Sequence, residues 1–311
     1  MKLVYMGTPE FAVAPLEFLH NSSHSVVAVV TGPDKPSGRG RAHKATPVRE
    51  TALRLGITAL TPESLKDSAL VTALRELEAD IFVVVAFRIL PEEVFTIPPH
   101  GSVNLHASLL PKYRGAAPIN WALIEGEKET GLSVFQLKRK VDTGDVLLQE
   151  RVEINSADTF TTLSERMSRL AGPLLAKSLD LIESGGAIPQ RQDSSLASKA
   201  PKLTPELFRI DWTKDANSVV NLIRGLANIP GAYTMFRGKR LKILGAGVAE
   251  KFNTNVGSGN IDIRDGIPFV EASGATFVEL KRVQPEGKAQ MSALDFVNGY
   301  RVESREKVGA Q

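Results

Sequence analysis

The chain has 311 residues, with 38 Lys and Arg against 35 Asp and Glu, a net charge of +3, and no cysteine. At about 100–200 residues per domain this length fits two domains, and 42% hydrophobic with 23% charged residues excludes wholesale disorder. The lack of cysteine excludes a disulfide framework, a Cys-ligated zinc site, an iron–sulfur cluster and a cysteine nucleophile.

In chain order, the first 105 residues alternate strand and helix signals. Leu3–Met6 is a short apolar run ending at Gly7, which reads as a first buried strand and not as the apolar core of a secretory signal. Residues 9–20 have helical spacing, and Val26–Thr31 reads as a second strand. Residues 32–45 are rich in Gly, Pro and basic residues and are expected to form a loop. Thr46-Pro47 starts a helix, with Thr as N-cap and Pro in the first turn. A third strand is expected at Ile57–Leu60 and a two-piece helix over residues 62–78. Ile81–Ala86 is a β-branched run of the kind buried in parallel sheets, and Ser102–His106 is a fifth strand. This alternation predicts an α/β, Rossmann-like doubly wound N-terminal domain.

After residue 126 the signal changes. Thr130–Lys138 and Val146–Ile154 read as a hairpin-like pair closing on Asp142-Thr143-Gly144-Asp145, and Asp158 caps a long helix to Ile182. Residues 189–205 are polar, with three prolines, and read as a linker. A helix follows at Asp215–Leu226, then short strand candidates at Ala232–Phe236, Leu241–Leu244, Phe269–Glu271 and Thr276–Val283. Such strands in a small segment predict a β-barrel of OB-fold type. The domains are thus 1–188, a linker 189–205, and 206–311. No apolar run approaches the roughly 20 residues that span a bilayer, and a cytoplasmic protein is expected.

The charge divides unevenly. Residues 1–190 carry 20 basic and 22 acidic side chains, and residues 191–311 carry 18 and 13. Lys35, Arg39, Arg41, Lys44 and Arg49 form one basic segment, and Arg237, Lys239, Arg240 and Lys242 another. Two such patches suit a polyanion such as nucleic acid; charge alone fits two solvated loops equally well.

The first strand–helix turn is Gly7-Thr8-Pro9-Glu10-Phe11, which is not GxGxxG, and no GxxxxGK[ST] occurs. The five histidines are scattered in sequence, and no metal is expected. Asn104 and His106 are two apart near a strand's carboxyl end, so they share a face where open α/β sheets build ligand sites. An amide can donate to a developing oxyanion, and an imidazole can move a proton near neutral pH. The spacing also fits a satisfied polar pair at a strand end. Asp142, on a Gly-bearing turn 36 residues after His106, is a candidate to orient the imidazole, and equally an ordinary turn residue. Ala116–Glu125 reads as a short helix with Trp121 in the core.

The run NLHASLLPKYRGAAPINWALIEGEKETG with VDTGD beyond it resembles the catalytic signature of the 10-formyltetrahydrofolate-dependent formyltransferase family. The blocks at 7–13, 31–41, 61–67, 86–94, 210–226, 230–234 and 284–300 resemble the tRNA-specific branch of that family. The resemblance implies a transferase that moves a formyl group from 10-formyltetrahydrofolate to the α-amino group of initiator methionyl-tRNA, giving formylmethionyl-tRNA for translation initiation. It implies Asn104, His106 and Asp142 as catalytic residues, and Arg88, Ile89, Leu90, Ser108, Leu109, Leu110 and Pro111 as folate contacts. It places Arg39, Arg41 and Lys44 in a tRNA-contacting loop, and Arg237, Lys239 and Arg240 in a tRNA-binding C-terminal domain. It implies a monomer that needs neither metal nor membrane. The chain departs from the family's common aromatic-Gly pair at Phe87-Arg88.

Overall fold

The computed structural model describes residues 1–37, 42–249, 252 and 256–309. The chain forms two compact units: residues 1–118, 129–153 and 164–201 make the first, and 119–128, 154–163 and 202–311 the second.

The first unit begins with β1 (Lys2–Gly7), α1 (Val13–His20) and β2 (Ser25–Val30). The segment expected to be a plain loop carries a short antiparallel pair, β3 (Lys35–Ser37) and β4 (Ala42–Lys44). Two strands of three residues rest on backbone pairing alone, which composition does not reveal. Next come α2 (Pro47–Arg54), β5 (Ala59–Leu60), α3 (Ser68–Glu76), β6 (Ile81–Val85), α4 (Glu92–Phe95) and β7 (Ser102–His106). Thr46 caps α2 through its hydroxyl, which accepts from Arg49 N, as its sequence position requires. The helix expected over 62–78 exists only from Ser68, because Asp67 is its N-cap and accepts from Ala69 N at 2.9 Å.

Beyond β8 (Arg114–Gly115) and α5 (Pro118–Ile124) lie β9 (Glu129–Gln136), β10 (Val146–Glu153), α6 (Phe160–Glu183) and β11 (Lys199–Ala200). Trp121 on α5 is half-buried, not core, because Ile119, Asn120, Ala122 and Leu123 form the buried face. Asp158 precedes the first turn of α6 and accepts from Thr162 Oγ1 at 3.1 Å.

The strand order is β10-β9-β7-β6-β1-β2-β5. From β7 to β5 every pairing is parallel, and β9 and β10 are antiparallel. The chain leaves β1 towards β2 and β5, then returns to place β6 and β7 on its other side. A crevice beyond the carboxyl ends of β1, β6 and β7 follows from that reversal. Gly7 ends β1 with no room for a side chain: a Cβ there would meet Ala12 Cβ at 2.8 Å and Val85 O at 3.0 Å. Alternation sorts the buried strands. Val4, Met6, Phe82 and Val84 pack with Leu70, Leu74, Val94 and Phe95, whereas Tyr5 faces the other way and donates its hydroxyl to Ala12 O at 2.7 Å.

In the second unit α7 (Ala216–Leu226) is capped by Asp215, and β12 (Ala232–Phe236), β13 (Lys239–Ala249), β14 (Ile261–Arg264), β15 (Ile267–Ala272), β16 (Thr276–Pro285) and β17 (Met291–Ser292) follow, then α8 (Ala293–Tyr300). The strands are antiparallel in the order β12-β13-β16-β15-β14. The tail joins the two edges: Val308 pairs with Phe236, Lys307 with Asn260, and Val308 N donates to Gly259 O at 2.7 Å. This closes the sheet into the expected barrel and removes its free edges. Trp212, Ile223, Phe236, Val278, Phe296 and Val308 share its core.

Because Val308 is 1% exposed where the barrel closes, Val308→Asp would bury an uncompensated charge at a cost of roughly 3–5 kcal/mol. Thermal melts are expected to show a large loss for Val308→Asp and little change for Val308→Ile.

Candidate active site

Asn104 and His106 project from one face of β7, with His106 in register with Ser133 of β9. The Asn104 side-chain amide has no hydrogen-bond partner among the described residues and is half-exposed, so it is open to a ligand. His106 is 6% exposed. Its Nε2 donates to the carbonyl of Tyr113 at 2.8 Å. A carbonyl only accepts, so the proton of the neutral ring sits on Nε2 and the lone pair on Nδ1.

Nδ1 faces Asp142 Oδ2 at 4.0 Å. That gap exceeds a direct hydrogen bond and has the length of a water-bridged contact. Asp142 is buried, and its Oδ2 accepts from Gly115 N at 2.8 Å. Residues 113–115 therefore touch both partners: Tyr113 holds the ring and Gly115 holds the carboxylate. The backbone is strained at these points, with φ of 57° at Tyr113 and 53° at Asp142. Gly115 has φ 128°, and a Cβ there would meet Ala200 O at 2.5 Å.

The 108–111 segment is buried scaffold on one side. Ser108 Oγ donates to Lys112 O at 2.6 Å. Ser133, fully buried, donates to Ser108 O at 2.6 Å and accepts from Leu110 N at 3.0 Å and Gln149 Nε2 at 2.8 Å. Leu109 lies across β9 where Gly131 leaves space: a Cβ there would meet Leu109 Cδ2 at 2.4 Å. Leu110 is buried, and Leu110-Pro111 is a cis peptide.

Residues 88–90 follow β6. Arg88 donates to the carbonyls of Glu63 (2.9 Å) and Pro62 (2.8 Å) and lies 5.3 Å from the Phe87 ring. Burial pulls its pKa below the usual guanidinium value, with Glu63 opposing. Leu90 is buried, whereas Ile89 is 74% exposed, an apolar side chain left free beside the crevice. A cavity of about 590 Å³ lies against the same stretch, lined by Leu90, Pro91, Phe95, Lys66 and Arg139.

Comparison with known proteins gives this geometry a context. The formyl transferase family model matches residues 1–179, and the formyl transferase C-terminal domain model matches residues 202–301. The methionyl-tRNA formyltransferase of Caldanaerobacter subterraneus is 41% identical over 304 residues, covering 97% of this chain and 98% of that protein. That of Chlorobium phaeovibrioides is 44% identical over 309 residues, covering 98% and 97%. The chain belongs to the methionyl-tRNA formyltransferase family. The formyltransferase fold also extends to HypX from Aquifex aeolicus, solved with tetrahydrofolic acid, at a TM-score of 0.67 and 16% identity. This chain is covered over 99% of its length and spans about half of that one, 48%.

In this formyltransferase, Asn104 and His106 share one face of β7, as their two-residue spacing suggested, and Asp142, which the resemblance implied, lies 4.0 Å from His106. Arg39 and Arg41 lie outside the described residues; Lys44 is exposed. Arg237, Lys239 and Arg240 differ from one another. Arg237 forms a bidentate pair with Glu306 (2.6 and 2.8 Å) and donates to the carbonyls of Tyr300 and Arg301, so its charge serves the barrel's closing tail. The Glu306 carboxyl is held below its usual pKa by that hydrogen bond. Lys239 is exposed, and so is Arg240, whose guanidinium lies over the Tyr233 ring at 4.4 Å.

Sequence reasoning missed Ser133, Gln149, Gly131 and the segment 190–200. Of these only Gly131, a glycine inside a strand pattern, carries a local signal. One group among the described residues could ligate a metal: His24, Asp180 and Glu183, whose ligand atoms lie within 4.8 Å. The Met1 ammonium is 3.0 Å from Glu183 Oε1 and 3.3 Å from His24 Nδ1, so this cluster already faces a cation.

Ser133→Ala removes one donor and strands two buried ones, at about 1–3 kcal/mol for each unsatisfied group. Chemical denaturation is expected to show the loss, and the KM for the formyl donor is expected to rise more than that for the acceptor.

Proposed function

We propose that the chain transfers the formyl group of 10-formyltetrahydrofolate to the α-amino group of initiator methionyl-tRNA, using Asn104, His106 and Asp142. The observation that carries this is the free amide of Asn104 beside an imidazole whose Nδ1 is open, both from one face of β7. The amine nitrogen attacks the formyl carbon, and its C=O becomes a tetrahedral oxyanion. Asn104 Nδ2 donates to that oxyanion. His106 Nδ1 takes the proton that the amine loses, because Nε2 is already committed to Tyr113 O. Asp142 stabilises the charged ring, and its 4.0 Å separation favours relay through a water. The oxyanion then reforms its C=O as the C–N10 bond breaks, and N10 receives the proton held on His106 Nδ1, so tetrahydrofolate leaves and the amine keeps the formyl group.

The donor is read into the crevice beside 88–90 and 108–111. Exposed Ile89 and half-buried Leu109 offer apolar contact to a flat ring; the Arg88 side chain fastens the first segment to Pro62 O and Glu63 O, and Ser133 Oγ fastens the second at Leu110 N. Arg39, Arg41 and Lys44 on one unit, and Lys239 and Arg240 on the other, supply phosphate contacts. Arg237 supports the second surface through its pair with Glu306. Such contacts set register and make affinity depend on salt.

Incubation with 10-formyltetrahydrofolate and methionyl-tRNA tests the reading, with uncharged tRNA and an amino-sugar nucleotide as comparisons. Formylation of the sugar alone would refute it. Asn104→Ala is expected to lower turnover by about 10²–10³-fold, the loss typical of one oxyanion donor. Near-wild-type transfer by Asn104→Ala, His106→Ala and Asp142→Asn alike would remove the catalytic assignment.

The basic residues have a separate signature. Replacing Arg39, Arg41, Lys239 or Arg240 by Ala is expected to raise the KM for tRNA and flatten its dependence on salt, with the donor's KM unchanged. Steady-state kinetics across a salt series measures both.

A further inference from the structure

Residues 190–200 belong to the stretch 189–205 that reads in sequence as a polar linker, yet they are fastened to the loops around His106 and Asp142 at successive points. Gln190 and Val146 exchange backbone hydrogen bonds at 2.7 and 2.8 Å. Ser198 Oγ accepts from Tyr113 N and Ser198 O accepts from Arg114 N, both at 2.9 Å. Lys199–Ala200 then pairs in parallel with Arg114–Gly115.

Between these anchors Gln192 uses its whole amide. Nε2 donates to Asp142 O at 3.0 Å and to Gly144 O at 2.7 Å. Oε1 accepts from Arg114 Nε at 3.1 Å and Nη2 at 2.6 Å. Both amide protons and the oxygen are therefore engaged, which uses the carboxamide's two donors at one end and its acceptor at the other. The two sides matter. Asp142 O and Gly144 O belong to the turn that carries the carboxylate, with Asp142 at φ 53°. Arg114 stands between Tyr113, which holds His106 Nε2, and Gly115, whose N–H holds Asp142 Oδ2. Gln192 ties the carboxylate's turn to the loop that holds both the ring and the carboxylate.

We propose that Gln192 is a positioning residue for formyl transfer, setting the separation of Asp142 and His106, and that the segment 190–200 is a working part of the active site. Gln192 touches no reacting atom; it acts through Asp142. The inference rests on the catalytic reading of the trio given above, and the experiment separates the two.

The test is a double-mutant cycle on the full chain, with 10-formyltetrahydrofolate and methionyl-tRNA as substrates. Gln192→Ala is expected to lower kcat by about ten- to a hundredfold, as a misplacement of order 1 Å does, with both KM values unchanged and the pH profile of kcat displaced. Gln192→Glu keeps the acceptor for Arg114 but sets a carboxylate against two carbonyls, so it is expected to fail as badly. In an Asp142→Asn background, Gln192→Ala should cost nothing further, because the contact it serves is already gone. A full loss multiplied onto that of Asp142→Asn, or a kcat unchanged in Gln192→Ala, overturns the proposal. An unchanged kcat in Asp142→Asn itself overturns the catalytic reading instead. Should Gln192→Ala not fold, Gln192→Glu in the same cycle decides by the same criteria, since it disturbs the same bonds to Asp142 O and Gly144 O.

Discussion

The site depends on a constraint on one ring. His106 can serve as a base only while one ring nitrogen holds the proton and the other keeps its lone pair, which here is Nδ1, on the side of Asp142. A backbone carbonyl meets that need better than a side chain, because it cannot ionise or rotate away. Tyr113 supplies it, at the cost of a left-handed backbone. From that choice the rest follows. Gly115 must come close enough to donate to Asp142, and Ala200 packs where a Cβ would be. The strained turn at Asp142 must then be held by bonds from elsewhere in the chain.

Such strain persists only where the surroundings over-determine it. Here the surroundings are mostly buried hydrogen bonds. Ser133 ties the Ser108–Leu110 backbone to β9, and Gln149 bonds both Leu110 O and Ser133. Close approach does the remainder. At Gly144 a Cβ would fall 1.6 Å from Gln136 O, so the turn after β9 folds back tightly only with glycine there. The antiparallel β9 and β10 thereby bring Asp142 to the end of β7, which a parallel crossover of a dozen or more residues would not do so directly.

The second unit solves a different problem with the same tools. A small antiparallel sheet has two edges, and the tail at 306–309 occupies both. Arg237 secures that tail to Tyr300, Arg301 and Glu306, which is why one member of a basic cluster serves the barrel while Lys239 and Arg240 face outward. Charge counting treats these residues alike, and only their partners distinguish them.

What the sequence determined alone was set by short-range physics. Continuous apolar runs placed β1, β2 and β6, Thr46-Pro47 started α2, Asp215 started α7, and the two-residue spacing put Asn104 and His106 on one face. The motif resemblance supplied Asp142 and the family. Tertiary structure decided everything that rests on backbone meeting backbone across long separations. The pairing of 199–200 with 114–115, the two carbonyls held by Gln192, and the closing tail of the barrel leave no periodic trace in the sequence. A segment that is polar because its side chains bond to another loop has the same composition as one that is polar because it faces water.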